Sequence, residues 1–275
     1  MKLKILHIID RVDVESGGPI ENLKIHFKLY KKLNVKADLL TVDKAYKIFG
    51  EQNNIKTYYI SNSFLKYKYS INFRPWLKKN IKNYDAIIVN GLWVYNNLAT
   101  YLEAQKYKIP YFLFTHGMLD PWFNKRYKIK KIKKYIYWKL VQSRVLQNAS
   151  GVIFTNNEEY KLAKKSFKPF KVKKIIHSYG TIEKKIKNKR KLLFEFYKKF
   201  PGTKNKKIIL YIGRFNEKKG CDILIKAFSQ IKNFKNLHLL MVGPVQKDNS
   251  YVNQLKKLID EKKINKNVTW TGTLI

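Results

Sequence analysis

Short apolar runs alternate along the chain with stretches whose apolar residues fall three and four apart. Residues 3–9 form the first such run and read as a buried strand. A glycine- and proline-bearing loop follows at 10–19, and residues 20–33 then carry helical spacing. Strand-like runs recur at 37–42, 57–60, 86–89, 111–115, 152–155 and 173–176, with a helical stretch at 97–107. Strands and helices in alternation predict a parallel sheet covered on both faces.

Past residue 180 the character changes. Residues 183–207 are dense in lysine, hold a helix-like piece at 190–200 and end in the turn Pro201-Gly202. The alternation then restarts as strand 207–212, helix 221–231, strand 237–242, helix 251–262 and strand 268–270. Two Rossmann-like α/β domains are therefore expected, 1–180 and 181–275. Three strands leave the second with an open sheet edge and little buried surface, so the chain is expected to be incomplete at its C-terminus.

Composition narrows the class without deciding it. An apolar fraction of 45% with 15% aromatics is globular. The net charge of +39 rests on lysine, because only six of the 58 basic residues are arginine. A nucleic-acid reader leans on arginine's planar fork, so no nucleic-acid partner is expected. Lysine beside abundant Ile, Asn and Tyr reads as compositional bias; attraction to an anionic membrane or substrate is the other reading. The single cysteine, Cys221, excludes an internal disulfide and a cysteine zinc site. The opening stretch is too soon interrupted for a signal peptide, and no apolar run approaches the roughly 18 to 20 residues that span a bilayer. A cytoplasmic protein is expected, soluble or peripheral at the inner membrane face.

Candidate chemistry sits at the ends of strands. Gly17-Gly18-Pro19 joins the first strand to a helix, where glycines admit close approach and the helix terminus offers N–H groups to an anion. His116-Gly117-Met118 follows the strand at 111–115, at the carboxyl end where open α/β sheets place ligands. Gly213-Arg214 ends the strand at 207–212, Lys219-Gly220 opens the next helix, and Gly243-Pro244 ends the next strand. Two cations at such a turn suit a diphosphate whose negative charge grows as its bond to a sugar breaks. His7 and His238 lie inside strand patterns and read as structural; His26 has no supporting context. No Asp-x-Asp pair, Walker loop or Gly-x-Ser-x-Gly elbow occurs, so a metal site is not expected.

Residues 125–140 place Ile129, Ile132, Ile136 and Leu140 three or four apart among lysines. The first reading is a basic amphipathic helix packed on its own domain with a solvated lysine face. The second is docking on an anionic membrane.

Taken in order, these motifs resemble the family-4 glycosyltransferases of the two-Rossmann-domain architecture called GT-B. The matching strings are Gly17-Gly18-Pro19, Asn90-Gly91-Leu92-Trp93, Thr115 through Trp122, Ile212-Gly213-Arg214 with Lys218-Lys219-Gly220, and Val242-Gly243-Pro244. The resemblance spans nearly the whole chain. It implies two domains facing a cleft, and retaining transfer of a sugar from a nucleotide-diphosphate sugar to a polysaccharide, lipid-linked or other glycan acceptor. The nucleotide sugar would be a co-substrate, with no cofactor or metal. The first domain would hold the acceptor and the second the donor. By the same resemblance Gly17 and Gly18 border the cleft and His116 faces the transferred sugar. Arg214 and Lys219 stabilise the diphosphate leaving group, beside Gly213 and Gly243.

Asn90 stands where the family often has His, and Ser178-Tyr179-Gly180 where Pro-Asn-Gly is common. The family's Glu-x7-Glu segment, which holds the donor's sugar and ribose, has no counterpart before Ile275. The chain alone is therefore expected to be weakly active or inactive. The alternative function is a catalytically incomplete module that binds only an acceptor or a membrane surface.

Overall fold

The computed structural model describes residues 2–12, 17–43, 49–60, 63, 66–126, 128–181, 183, 186–231, 236–245 and 250–274. Part of the predicted loop at 10–19 and Tyr127 in the predicted helix at 125–140 lie outside them. The chain divides into two compact units, Met1–Glu183 and Lys184–Ile275.

The first unit is built on strands β1 (Lys4–Ile9), β2 (Lys36–Thr41), β3 (Thr57–Tyr59), β4 (Ala86–Asn90), β5 (Tyr111–Phe114), β6 (Gly151–Phe154) and β7 (Lys174–Ile176). They form one sheet in the order β3-β2-β1-β4-β5-β6-β7, every pairing parallel. Its helices are α1 (Gly18–Lys32), α2 (Phe49–Asn53), α3 (Phe73–Asn80), α4 (Tyr95–Tyr107), α5 (Pro121–Arg126), α6 (Lys128–Tyr137), α7 (Ser143–Gln147) and α8 (Asn157–Ser166). The strand pleat sends successive side chains to opposite faces. Leu6 and Ile8 of β1 thus join a cluster with Phe73, Leu77, Ile87 and Trp138, while Ile9 joins Ile20, Leu23, Leu39 and Phe49. The sheet is covered on both faces, as the alternation of elements predicts.

Local chemistry sets the helix ends. Proline in the first turn of α1 has a preset φ, and Glu21 near its start and Lys31 and Lys32 near its end suit the helix dipole. In α8 the side chain of Asn156 accepts the Glu159 N–H at 2.8 Å and caps the helix.

The basic stretch at 125–140 departs from its first reading. The helix runs through α6 into a π-helical segment, Trp138–Gln142. Ile129, Ile132, Ile136 and Leu140 are 76%, 63%, 54% and 65% exposed, so the aliphatic stripe faces out, not in. The opposite face joins the core through Trp138, which finds aromatic partners there. Its ring stacks on Phe167 at 5.0 Å between centroids and its Nε1–H donates to the Pro169 carbonyl at 3.1 Å. One turn earlier Lys134 lies on the same side, its ammonium 4.7 Å from the centre of the Trp93 ring. Burial, and then Lys130, lower the Lys134 pKa.

The second unit holds α9 (Lys189–Lys199), β8 (Lys207–Ile212), α10 (Cys221–Ser229), β9 (Leu237–Val242), α11 (Ser250–Glu261) and β10 (Val268–Gly272). Its parallel sheet runs β10-β9-β8. Cys221, Ile225 and Phe228 of α10 and Val252, Leu255 and Ile259 of α11 pack on Leu239 and Met241. Along β8, Ile209 and Tyr211 pack on that core while Ile208, Leu210 and Ile212 are exposed. Helix α9 contributes no buried residue to this unit.

Candidate functional site

In the first unit the strand order reverses between β1 and β4. Open parallel sheets take ligands beyond the carboxyl ends of their strands at such a reversal. Asn90, the last residue of β4, pairs in register with Ile9, the last of β1. Its amide Nδ2 donates to the Ile8 carbonyl at 3.2 Å and lies 3.4 Å from His7 Nδ1. Its Oδ1 therefore faces His116 Nε2, 3.1 Å away, and accepts a hydrogen bond from it. That network fixes the tautomer of His116: Nε2 carries the hydrogen, and Nδ1 accepts from the Tyr179 hydroxyl. The same logic makes His7 donate through Nε2 to the Tyr30 hydroxyl at 2.9 Å.

The turn that presents His116 is tightly held. His116 has φ 48° and Gly117 φ 74°, so the chain passes through the left-handed region just after β5. The Glu159 carboxylate anchors it. Oε1 accepts from the Gly117 N–H at 2.7 Å and the Thr115 hydroxyl at 2.5 Å, and Oε2 from the N–H and hydroxyl of Thr155 at 2.7 and 2.5 Å. The imidazole of His116 stacks on Phe114 with ring centres 4.1 Å apart. Tyr179 also lies against the Gly17-Gly18 turn, where a Cβ added at Gly18 would meet its ring at 3.2 Å.

This edge is rich in imidazoles that are uncharged at neutral pH. Burial, then the neighbouring His26 and His116, lower His7 to about 3. Burial and His26 lower His116 to about 3, and burial and His177 lower His26 to about 4. His26 and His177 meet through their Nε2 atoms at 2.9 Å, so one donates and the other accepts. Such an edge offers neutral donors and acceptors, suited to hydroxyl groups. Among the described residues no group of three or more His, Cys, Asp or Glu could hold a metal ion.

In the second unit each strand ends in or is followed by a glycine. Gly213, Gly243 and Gly272 have φ of 159°, 156° and 71°. The Gly213 N–H donates to the Val242 carbonyl at 2.9 Å and the Gly243 N–H to Gly272 at 3.1 Å. A Cβ at Gly243 would fall 1.9 Å from the Gly213 carbonyl oxygen, so only glycine fits. Arg214 is exposed, with its carbonyl held by the Tyr211 hydroxyl at 2.9 Å. Lys219 is exposed in the short turn Glu217–Lys219, before Gly220 at φ 64° and the start of α10.

The candidate residues thus fall into two sets. Gly17, Gly18 and His116 gather around Tyr179, while Gly213, Gly243, Arg214 and Lys219 line strand ends of the second sheet. Sequence reasoning missed Glu159 and His177 as members of the first set, met Tyr179 only as a departure from the family's pattern, and gave His26 no context; His7, read as structural, is buried and tied to His116 through Asn90. Glu159 left a local signal: Asn156-x-x-Glu159 marks a helix start, with Thr155 just before it.

Residues 194–274 match the family model described as glycosyl transferases group 1. Among solved structures, HepE from Anabaena, crystallised with UDP and glucose, is 17% identical with TM-score 0.73, over 99% of this chain and 70% of that one. A glycosyltransferase from Rickettsia africae is 19% identical with TM-score 0.68, over 99% of this chain and 69% of that one. A putative UDP-N-acetylglucosamine 2-epimerase from Listeria monocytogenes is 10% identical with TM-score 0.58, over 100% of this chain and 70% of that one. No curated protein sequence matches. At these identities the likeness establishes the fold, which is the α/β GT-B type.

Proposed function

We propose that the chain belongs to a metal-independent glycosyltransferase that moves a sugar from a nucleotide-diphosphate sugar to a glycan or lipid-linked acceptor, with retention of configuration. One observation carries the reading. The match to group 1 glycosyl transferases covers 194–274, the stretch whose strand ends present Gly213-Arg214, Lys219-Gly220 and Gly243. Glycines there let backbone approach phosphate oxygens. Arg214 offers a two-pronged donor and Lys219 a mobile charge, both able to offset the charge that builds on a departing diphosphate.

In this reading the second unit holds the donor and the first the acceptor. His116 meets a hydroxyl of the transferred sugar once Tyr179 releases Nδ1, because Asn90 keeps Nε2 occupied. UDP sugars are the first donors to test, since HepE was crystallised with UDP and glucose. The fold is shared with a putative UDP-sugar epimerase, so the product must be identified: a sugar on an acceptor supports transfer, an inverted free nucleotide sugar does not.

Calorimetric titration of UDP, GDP and their glucose conjugates tests the donor half directly. Binding of one of them, weakened about tenfold or more in Arg214→Ala, is the expected result. Absence of binding by every nucleotide would leave the fold without this function and favour a module that binds only an acceptor.

A further inference from the structure

We propose that the face of α1 beside Tyr179 binds a neutral sugar ring, that Asn22 is a specificity-determining residue there, and that the Tyr179 hydroxyl stands where a sugar hydroxyl would lie. That the ligand is a sugar rests on the transferase reading; Asn22 then names what the first unit recognises.

The observation is an unpaired amide. Asn22 is 2% exposed, yet among the described residues neither its Oδ1 nor its Nδ2 has a hydrogen-bond partner. A buried carboxamide in that condition destabilises the fold, because both groups have given up their bonds to water. His26, one turn further on, repeats the pattern: its Nδ1 is buried and unpartnered. Gly18, Asn22 and His26 are four apart and form one stripe along α1. The segment 177–180 touches the two ends of that stripe. A Cβ at Gly18 would meet the Tyr179 ring at 3.2 Å, one at Gly180 would meet Ile25 at 3.6 Å, and His177 bonds His26 at 2.9 Å. Helical side chains lean toward the start of their helix, which directs the Asn22 amide at the Gly17-Gly18 turn that Tyr179 covers.

The groups on this face define the ligand. His116 Nδ1 is an acceptor already matched to a hydroxyl, so a ligand that takes the place of Tyr179 must bring a hydroxyl of its own. Tyr179 is 38% exposed, and rotation about its Cα–Cβ bond carries it off His116 toward solvent. Asn22 offers one acceptor and a donor group to a second hydroxyl. Charged ligands fare worse. His7, His26 and His116 are neutral near pH 7, so a phosphate would lose water without gaining a cation. The Glu159 carboxylate already accepts from four donors and has little left for an ammonium group. Neighbouring hydroxyls on an uncharged ring answer donor and acceptor alike.

The probes are glucose and UDP-glucose, with UDP as control, and the readout is the nitrogen NMR signals of the Asn22 amide and the His116 ring. Shifts with glucose alone assign the ring to the acceptor. Shifts with UDP-glucose but with neither glucose nor UDP assign it to the transferred sugar; both results support the site. Asn22→Leu keeps the shape of the side chain and removes its polar atoms. It should weaken binding at least about tenfold and raise the melting temperature by about 2–4 °C, since the unpaired amide is gone. Tyr179→Phe removes the competing hydroxyl and should tighten binding about two- to tenfold. No shift with either sugar, or affinity unchanged in Asn22→Leu, overturns the proposal. So does a lower melting temperature in Asn22→Leu, which would make Asn22 a structural residue paired through ordered water. Nucleotide binding that depends on Arg214 with no shift at Asn22 would leave the transferase reading standing and the sugar site without support. Glucose shifts at Asn22 with no nucleotide binding would do the reverse.

Discussion

Acidification from pH 7 to 5 should loosen the first unit through its buried imidazoles. His7 is fully buried and its pKa in the folded chain is about 3, against 6.5 when free. Below 6.5 the unfolded chain takes up a proton that the folded chain refuses, so stability rises with pH across this range. The contribution is complete above 6.5 and is lost as pH falls toward 3. At pH 5 the loss from His7 alone is about 2 kcal/mol, one and a half pH units at about 1.4 kcal/mol each. His116, lowered equally by burial, adds a similar amount. His26 adds less, because its ring is only partly buried and its pKa is lowered less, to about 4. A combined loss of about 4 kcal/mol is a large share of the roughly 5 to 15 kcal/mol that holds a domain folded. Urea denaturation at pH 7, 6 and 5, followed by tryptophan fluorescence, measures it; four of the five tryptophans lie in the first unit. The decisive comparison is the slope in His7→Asn, which should fall by one proton, about 1.4 kcal/mol per pH unit. A wild-type stability flat between pH 7 and 5, or an unchanged slope in the variant, refutes the reasoning.

Gly243→Ala should destabilise the second unit by about 1–3 kcal/mol, because the new methyl would sit 1.9 Å from the Gly213 carbonyl oxygen; a urea midpoint no lower than wild type would contradict this. Trp138→Ala should cost about 3–5 kcal/mol by emptying the site between Phe167 and Phe170, readable as a fall in melting temperature. Glu159→Ala strands the N–H of Gly117 and the N–H and hydroxyl of Thr155, while the Thr115 hydroxyl keeps the Ile153 carbonyl. A loss of at least about 2 kcal/mol is expected, with faster hydrogen exchange confined first to the turn at 115–117.

The alternating pattern made the strands legible because parallel strands buried on both faces are continuous apolar runs bounded by turns. Residues 237–242 have the same bounds in pattern and structure, and so do 207–212, although one face of that strand is exposed. The inverted helix at 128–142 was not legible. Four aliphatic residues at helical spacing outvote one tryptophan and one valine in a local window, whereas burial is decided by what the neighbouring elements offer. Phe167 and Phe170 come to Trp138 from beyond α8, a proximity no local window contains. The histidine edge was hidden for the same reason: 151 positions separate His26 from His177, which share a hydrogen bond. Gly213 and Gly243, by contrast, could be picked out because a glycine after a buried strand is a local signal.

The two strand-end surfaces carry opposite electrostatic designs, and this asymmetry bears on their division of labour. In the first unit, burial holds His7, His26 and His116 uncharged near pH 7, and hydrogen bonds through Asn90, Tyr30 and Tyr179 tie up the ring nitrogens of His7 and His116. In the second, Arg214 and Lys219 are exposed beside glycines that leave the backbone bare. An exposed cation can meet a highly charged ligand without first losing a protein partner, whereas a desolvated neutral edge would hold a diphosphate poorly. Under the proposed function, the diphosphate of the donor therefore belongs with the second unit and neutral hydroxyls with the first. Arg214→Glu should abolish nucleotide binding while leaving the unfolding free energy of the second unit within about 0.5 kcal/mol of wild type, since the side chain is exposed. Nucleotide affinity retained in Arg214→Glu would place the diphosphate elsewhere and undo the assignment of the two units.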